Sequence, residues 1–158
     1  MRTFIVSIFL IAIMAVLSNC SNESPQPSGQ FNVTLSGGLS DQLQGEARFE
    51  LVPVSPNGRI IITLRESESA YIRLTFVNPD PNQIFLEPDS YNVVSQLGQD
   101  VLKEVLVDFV SQVGTFTATS GEIRVGIVKN SQIKGDLVNV LFSTLNITSN
   151  GTFDAIPE

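Results

Sequence analysis

Residues Ile60 to Phe76 read IIITLRESESAYIRLTF, and their apolar side chains fall at every second position: Ile60, Ile62 and Leu64, then Ile72, Leu74 and Phe76. A period of two puts one set of side chains on one face of an extended strand, whereas a helix needs spacings of three and four. Glu66 and Glu68 lie between the two runs, at the tip of a hairpin. The alternation recurs outward from this stretch, in Phe31, Val33 and Leu35, in Ala47, Phe49 and Leu51, in Phe116 and Ala118, in Ile123, Val125 and Ile127, and in Phe153 and Ala155. Turn chemistry separates the runs at Ser36-Gly37-Gly38, Ser55-Pro56-Asn57-Gly58, Asn78-Pro79-Asp80-Pro81-Asn82, Gly98, Gly114, Ser120-Gly121, Lys129-Asn130-Ser131 and Asn150-Gly151. The expected fold is all-β, an antiparallel meander of about 8–10 strands closing as a β-sandwich or barrel.

The segment DVLKEVLVDFVSQV has a second pattern, because Leu102, Val105, Leu106, Phe109, Val110 and Val113 also match helical spacing, with Asp100 in place as a cap. Its β-branched residues and the alternation of Val105, Val107 and Phe109 favour a strand that ends in a turn at Gln112-Val113-Gly114. Gly135-Asp136, inside the otherwise continuous run from Gln132 to Leu145, is expected to form a bulge that bends a long strand.

Ahead of the β pattern, Arg2 is followed by an apolar run from Phe4 to Leu17, shorter than the roughly 20 residues that cross a bilayer. The run ends in Leu17-Ser18-Asn19-Cys20, and Cys20 is the single cysteine of the chain. This N-terminus resembles a bacterial lipoprotein signal peptide, in which a Leu-small-small-Cys box precedes a cysteine that is lipidated and becomes the first mature residue. Asn19 stands where that box usually has a small residue. The resemblance implies a signal helix over residues 1–19, removed on export, a lipid (palmitate-type) anchor on Cys20, and a place on the cell-envelope membrane. Two or more acyl chains hold firmly where one does not. Ser21 after the cysteine resembles the outer-membrane sorting preference of some Gram-negative bacteria. Residues 20–30 carry no large apolar side chain after Cys20 and are expected to be a flexible tether, with a reach of roughly 17 Å for ten residues. Residues 31–158 then form one domain, of a size that folds without disulfides.

The layout of Asp89-Ser90-Tyr91-Asn92-Val93, Phe116 to Ile123, Ile133 to Leu137 and Gly151 to Ala155 is similar to small β-rich lipoproteins of Bacteroidetes-like bacteria. That resemblance covers about half of the domain and implies a fold without implying a reaction.

Charge narrows the partners. The net charge of -7 becomes -8 when residues 1–19 and their Arg2 are removed, which argues against nucleic acid and against electrostatic docking on anionic lipid. With no His, the Ser-His-Asp and Cys-His arrangements and the commonest transition-metal ligands are excluded. Ser131-Gln132-Ile133-Lys134 spells S-x-x-K, but on a strand Ser131 and Lys134 point to opposite faces, and the companion motifs are missing. Glu46, Glu50, Glu66, Glu68, Glu104 and Asp108 are the acids a carboxylate-based glycoside hydrolase would draw on, and their spacing reads as solvated surface. Tyr71 and Tyr91 are the weak stacking platforms of a chain without Trp.

Asn78, Asp80, Asn82 and Asp89 have part of the spacing of a calcium loop, but Pro79, Pro81 and Gln83 break it, so a Pro-rich turn is expected and no metal is assigned. The sequons at Asn32, Asn146 and Asn150 read as turn chemistry behind a lipoprotein signal. Phe31, Phe49, Phe76, Phe85, Phe109, Phe116, Phe142 and Phe153 are expected to fill the core, or to line an apolar cavity if the sheet closes as a barrel. The functional expectation is a non-catalytic domain without a cofactor, binding or scaffolding an envelope protein or a glycan, with a carrier of a small apolar ligand as the alternative.

Overall fold

The hairpin expected from Ile60 to Phe76 is the best-paired part of the structure, a computed structural model that describes residues 28–54, 57–98 and 100–158. Strands β3 (Gly58–Ser67) and β4 (Ala70–Asn78) are antiparallel, with Ile60 opposite Phe76, Ile62 opposite Leu74 and Leu64 opposite Ile72. All six side chains are 0% exposed. At about 1.5–3 kcal/mol for each buried large aliphatic or aromatic side chain, this one face supplies much of the drive to fold.

Eight further strands complete the domain: β1 (Gln30–Gly37), β2 (Asp41–Val52), β5 (Ser90–Val93), β6 (Glu104–Ser111), β7 (Gly114–Thr117), β8 (Ser120–Lys129), β9 (Gln132–Phe142) and β10 (Ile147–Pro157). Their hydrogen-bonded order is β4-β3-β2-β1-β10-β9-β8-β5-β6, and β4 pairs again with β6, so nine strands close into a barrel. Closure leaves no free edge along the seam, where Tyr71 to Phe76 pair with Val110 to Val105. The other edge of β6 is divided between β5, at Glu104 and Val105, and β7, at Asp108 to Ser111. Ala118 N–H then donates to Val107 O and Thr119 N–H to Leu141 O, both at 2.8 Å, so the chain crosses from β6 to β9 within two residues. β8 continues along β9.

The inside of the ring is filled by side chains. Phe76, Phe142, Phe153 and the inward Ile and Leu residues are fully enclosed, and the Phe76 ring meets the Tyr91 ring edge-on at 5.1 Å. Phe31, Phe49 and Phe109 are also buried. Of the eight Phe residues expected inside, Phe116 is only partly buried against the core, and Phe85 stands in a loop, 53% exposed.

Val105, Val107 and Phe109 are buried in β6 while Leu106, Asp108 and Val110 face outward, so the ambiguous segment is a strand. The expected meander is broken at this place, because β4 skips β5 to pair with β6, and β5 runs parallel to β6.

The bulge expected at Gly135-Asp136 lies elsewhere. Phe153 stands opposite Gly135 in regular register, and a Cβ on Gly135 would collide with that ring and with the Arg124 carbonyl, so glycine here serves close approach. The irregularities fall instead at Val138-Asn139, opposite Asn150, and at Gly126 in β8. The extra residue at Gly126 flips the side-chain parity, which turns Ile127 out to solvent and brings Val128 against the core. Asn150-Gly151, expected as a turn, sits inside β10, with Asn150 Oδ1 accepting from Asn139 N–H at 2.8 Å. The β9–β10 reversal is made instead by a 3-10 turn (Ser143–Leu145) and by Asn146 at φ 53°.

Candidate functional site

The antiparallel order gathers chain ends and connections at one end of the barrel: the starts of β1, β3, β6 and β9 and the ends of β2, β4, β8 and β10. The connections β4–β5 and β5–β6, the longest of the domain, both lie there. Asn78, 0% exposed, organises the first of them. Its Nδ2 donates to Asp80 O and to Gln83 O (2.6 Å), and its Oδ1 accepts from Phe85 N–H (2.8 Å). Asp80 Oδ1 accepts from Asn82 N–H at 2.7 Å, a local turn contact.

Asp89 is drawn away from this loop by an ion pair with Lys103 and by Ser90 N–H, which donates to its Oδ1 at 2.7 Å. The four residues with calcium-like spacing therefore do not converge. Among the described residues no group of three or more His, Cys, Asp or Glu stands together to hold a metal.

Where β4 stops pairing with β6, these connections leave a groove of about 200 Å³ lined by Val77, Pro79, Phe85, Leu86 and Leu102, with Glu87, Tyr91 and Lys103 beside it. Phe85 is 53% and Leu102 51% exposed on its rim. Tyr91 donates its O–H to Glu87 O (2.8 Å) and accepts from Glu87 N–H (3.1 Å), while Lys103 Nζ lies 5.8 Å from the centre of the Tyr91 ring. The hydrogen bond from Lys103, with the help of Ser90 N–H, holds the Asp89 carboxyl below the usual carboxylate range, and the same contact raises Lys103. Burial raises the Tyr91 phenol. These shifts keep the lysine and the aspartate charged and the tyrosine neutral at neutral pH. The apolar side chains of the groove suit it to hold an apolar group.

The remaining candidate acids are dispersed over the outer wall. Glu46 lies 3.7 Å from Arg48, Glu50 faces outward on β2, and Glu66 and Glu68 occupy the exposed β3–β4 tip. Glu104 accepts from Gly98 N–H at 2.5 Å. Asp108 accepts from Arg73 Nη2 at 3.0 Å and from Thr117 Oγ1 at 2.7 Å, a tie across the β4–β6–β7 seam. Ser131 is in the β8–β9 turn and Lys134 is exposed on β9. Tyr71 is half-buried on β4, and Asn32 Oδ1 accepts from Gln42 Nε2 at 2.9 Å on the outer face of β1.

Cys20 and the rest of residues 1–27 lie outside the described residues. The first described residue is held in place: Ser28 N–H and Oγ–H both donate to Asp154 Oδ2, at 3.2 and 3.3 Å, and Gly29 O accepts from Ala47 N–H at 2.8 Å. Gln132 Nε2 donates to the other oxygen of Asp154 at 2.8 Å. Sequence reasoning missed this clamp and also the exposure of Phe85 and Leu102. An apolar residue in a Pro-rich connection carries no periodic signal, and Asp154 pairs with partners distant in sequence.

Comparison with protein-family models, with curated proteins and with solved structures finds no match.

Proposed function

We propose that this chain is a lipoprotein of a bacterial envelope, anchored through a lipidated Cys20, whose β-barrel is a non-catalytic binding or scaffolding domain for an envelope protein or a glycan. The observation that carries the reading is the filled barrel interior, since enclosed side chains leave the outer surface and its loops as the place where recognition occurs. Supporting it, the charged side chains of the described residues are spread over that surface, several of them paired with one another. Photo-crosslinking in living cells from Val113, the most exposed apolar side chain at the opposite end of the barrel, tests it. One discrete crosslinked species that survives stringent washing is expected, and an unbiased smear at this and other wall positions would contradict a scaffold.

The closed barrel also supports a second reading, a carrier of a small apolar ligand. With the interior occupied, its ligand would enter the Phe85–Leu102 groove, and a rise in melting temperature with added fatty acid, abolished in Phe85→Ser, would favour it over scaffolding.

A further inference from the structure

We infer that the barrel end bearing Val54, Phe85 and Leu102 is the surface this protein lays against the lipid bilayer, so that the domain stands end-on to the membrane. The inference rests on the proposed anchor at Cys20 and adds an orientation to it. Six large apolar side chains are exposed among the described residues. Val54 follows β2, Phe85 follows β4 and Leu102 precedes β6, all in connections at one end, and Ile127 is two residues from the finish of β8 at that same end. Leu39 and Val113 alone belong to the opposite end. The strands in question, β2, β4, β6 and β8, lie on the side of the ring around the β4–β6 seam, so the apolar groups form a partial rim centred on the groove that Phe85 and Leu102 share.

The place where the chain leaves the domain favours one end for the lipid. Ser28 is pinned on Asp154 at the rim end, three residues before Pro157 closes β10. Between Cys20 and this clamp lie seven residues, 21–27, which span at most about 25 Å. From Asp154, where Ser28 is pinned, to Ile147 at the far end, β10 rises about 18 Å, at about 3.3 Å per residue and a tilt of about 40°. The tether would be mostly used up in setting the opposite end on the membrane, and little of it is needed at the rim end. It does hold the rim end within a tether's reach of the headgroups, where half-exposed Phe and Leu side chains gain from leaving water. The net negative charge disfavours anionic lipid, so the exposed apolar side chains would meet zwitterionic lipid.

The chain has no Trp, so one introduced indole is a unique reporter. Full-length protein purified from membranes would be reconstituted in phosphatidylcholine vesicles with and without brominated acyl chains, as Phe85→Trp and as Val113→Trp, with Leu102→Trp as a second rim position should Phe85→Trp fail to fold. The rim indole is expected to lose most of its emission in brominated vesicles, while Val113→Trp keeps its emission. If vesicles and protein float together but rim and far-end indoles respond alike, the orientation is wrong and the anchor stands. If the protein does not float with the vesicles, the anchor fails and the orientation falls with it.

Discussion

Asn78 is a residue whose chemistry was legible and whose use was not. Its carboxamide belongs to a spacing that suggests a cation loop, yet buried beside Phe76 it binds the backbone of its own loop at three points. Buried hydrogen bonds are costly to leave half-made. Asn78→Ala should therefore destabilise the domain by about 2–4 kcal/mol in urea unfolding and loosen residues 79–89 first, seen as faster amide exchange of Phe85. Asp89 and Lys103 make a pH prediction whose sign follows from their directions. Asp89 is held low, so its contribution is present at neutral pH and lost as pH falls through the lowered value. Lys103 is raised, so its contribution is present at neutral pH and lost as pH rises through the raised value. Lys103→Met should move the Asp89 titration up toward the ordinary carboxylate range, as followed by side-chain carboxyl NMR. An unmoved titration would mean that the pair does not persist in solution. Both groups are exposed, so little global stability rides on them.

Among the elements, those with an uninterrupted period of two were read correctly from the sequence, as in β1, β3 and β4, because burial on one face leaves only one register. The misreadings cluster where one residue is added. Ile127 follows Val125 in the alternation, but the bulge at Gly126 reverses its face, and nothing in a single-strand pattern announces a bulge formed against a partner. Asn150-Gly151 has turn chemistry in abundance, and the structure uses it to face the Val138-Asn139 bulge while the chain reverses some residues earlier. For β6, where helix and strand patterns competed, the fold separates two adjacent positions. Val107→Lys buries a charge in the barrel and should cost more than about 4 kcal/mol or abolish folding, while Leu106→Lys on the outer face should cost about 1 kcal/mol or less. Comparable thermal melts for the two variants would contradict the strand.

At the scale of the whole molecule, the sequence specified an all-β domain but left sandwich and barrel unresolved. Both bury the same alternating residues, and the difference lies in one long-range pairing, β4 with β6, across an intervening strand. The groove between Phe85 and Leu102 was hidden for the same reason, since it exists only where that pairing stops. Closure, a filled interior and the Ser28–Asp154 clamp are compatible with the proposed domain, held at a surface and acting through its exterior. The proposal that joins these features is the lipid on Cys20, and the mass of the intact protein extracted from membranes tests it most directly. A chain that begins at Cys20 and carries the added mass of two or three acyl groups is expected. A chain that begins at Met1, or at any other residue without acyl mass, would contradict it.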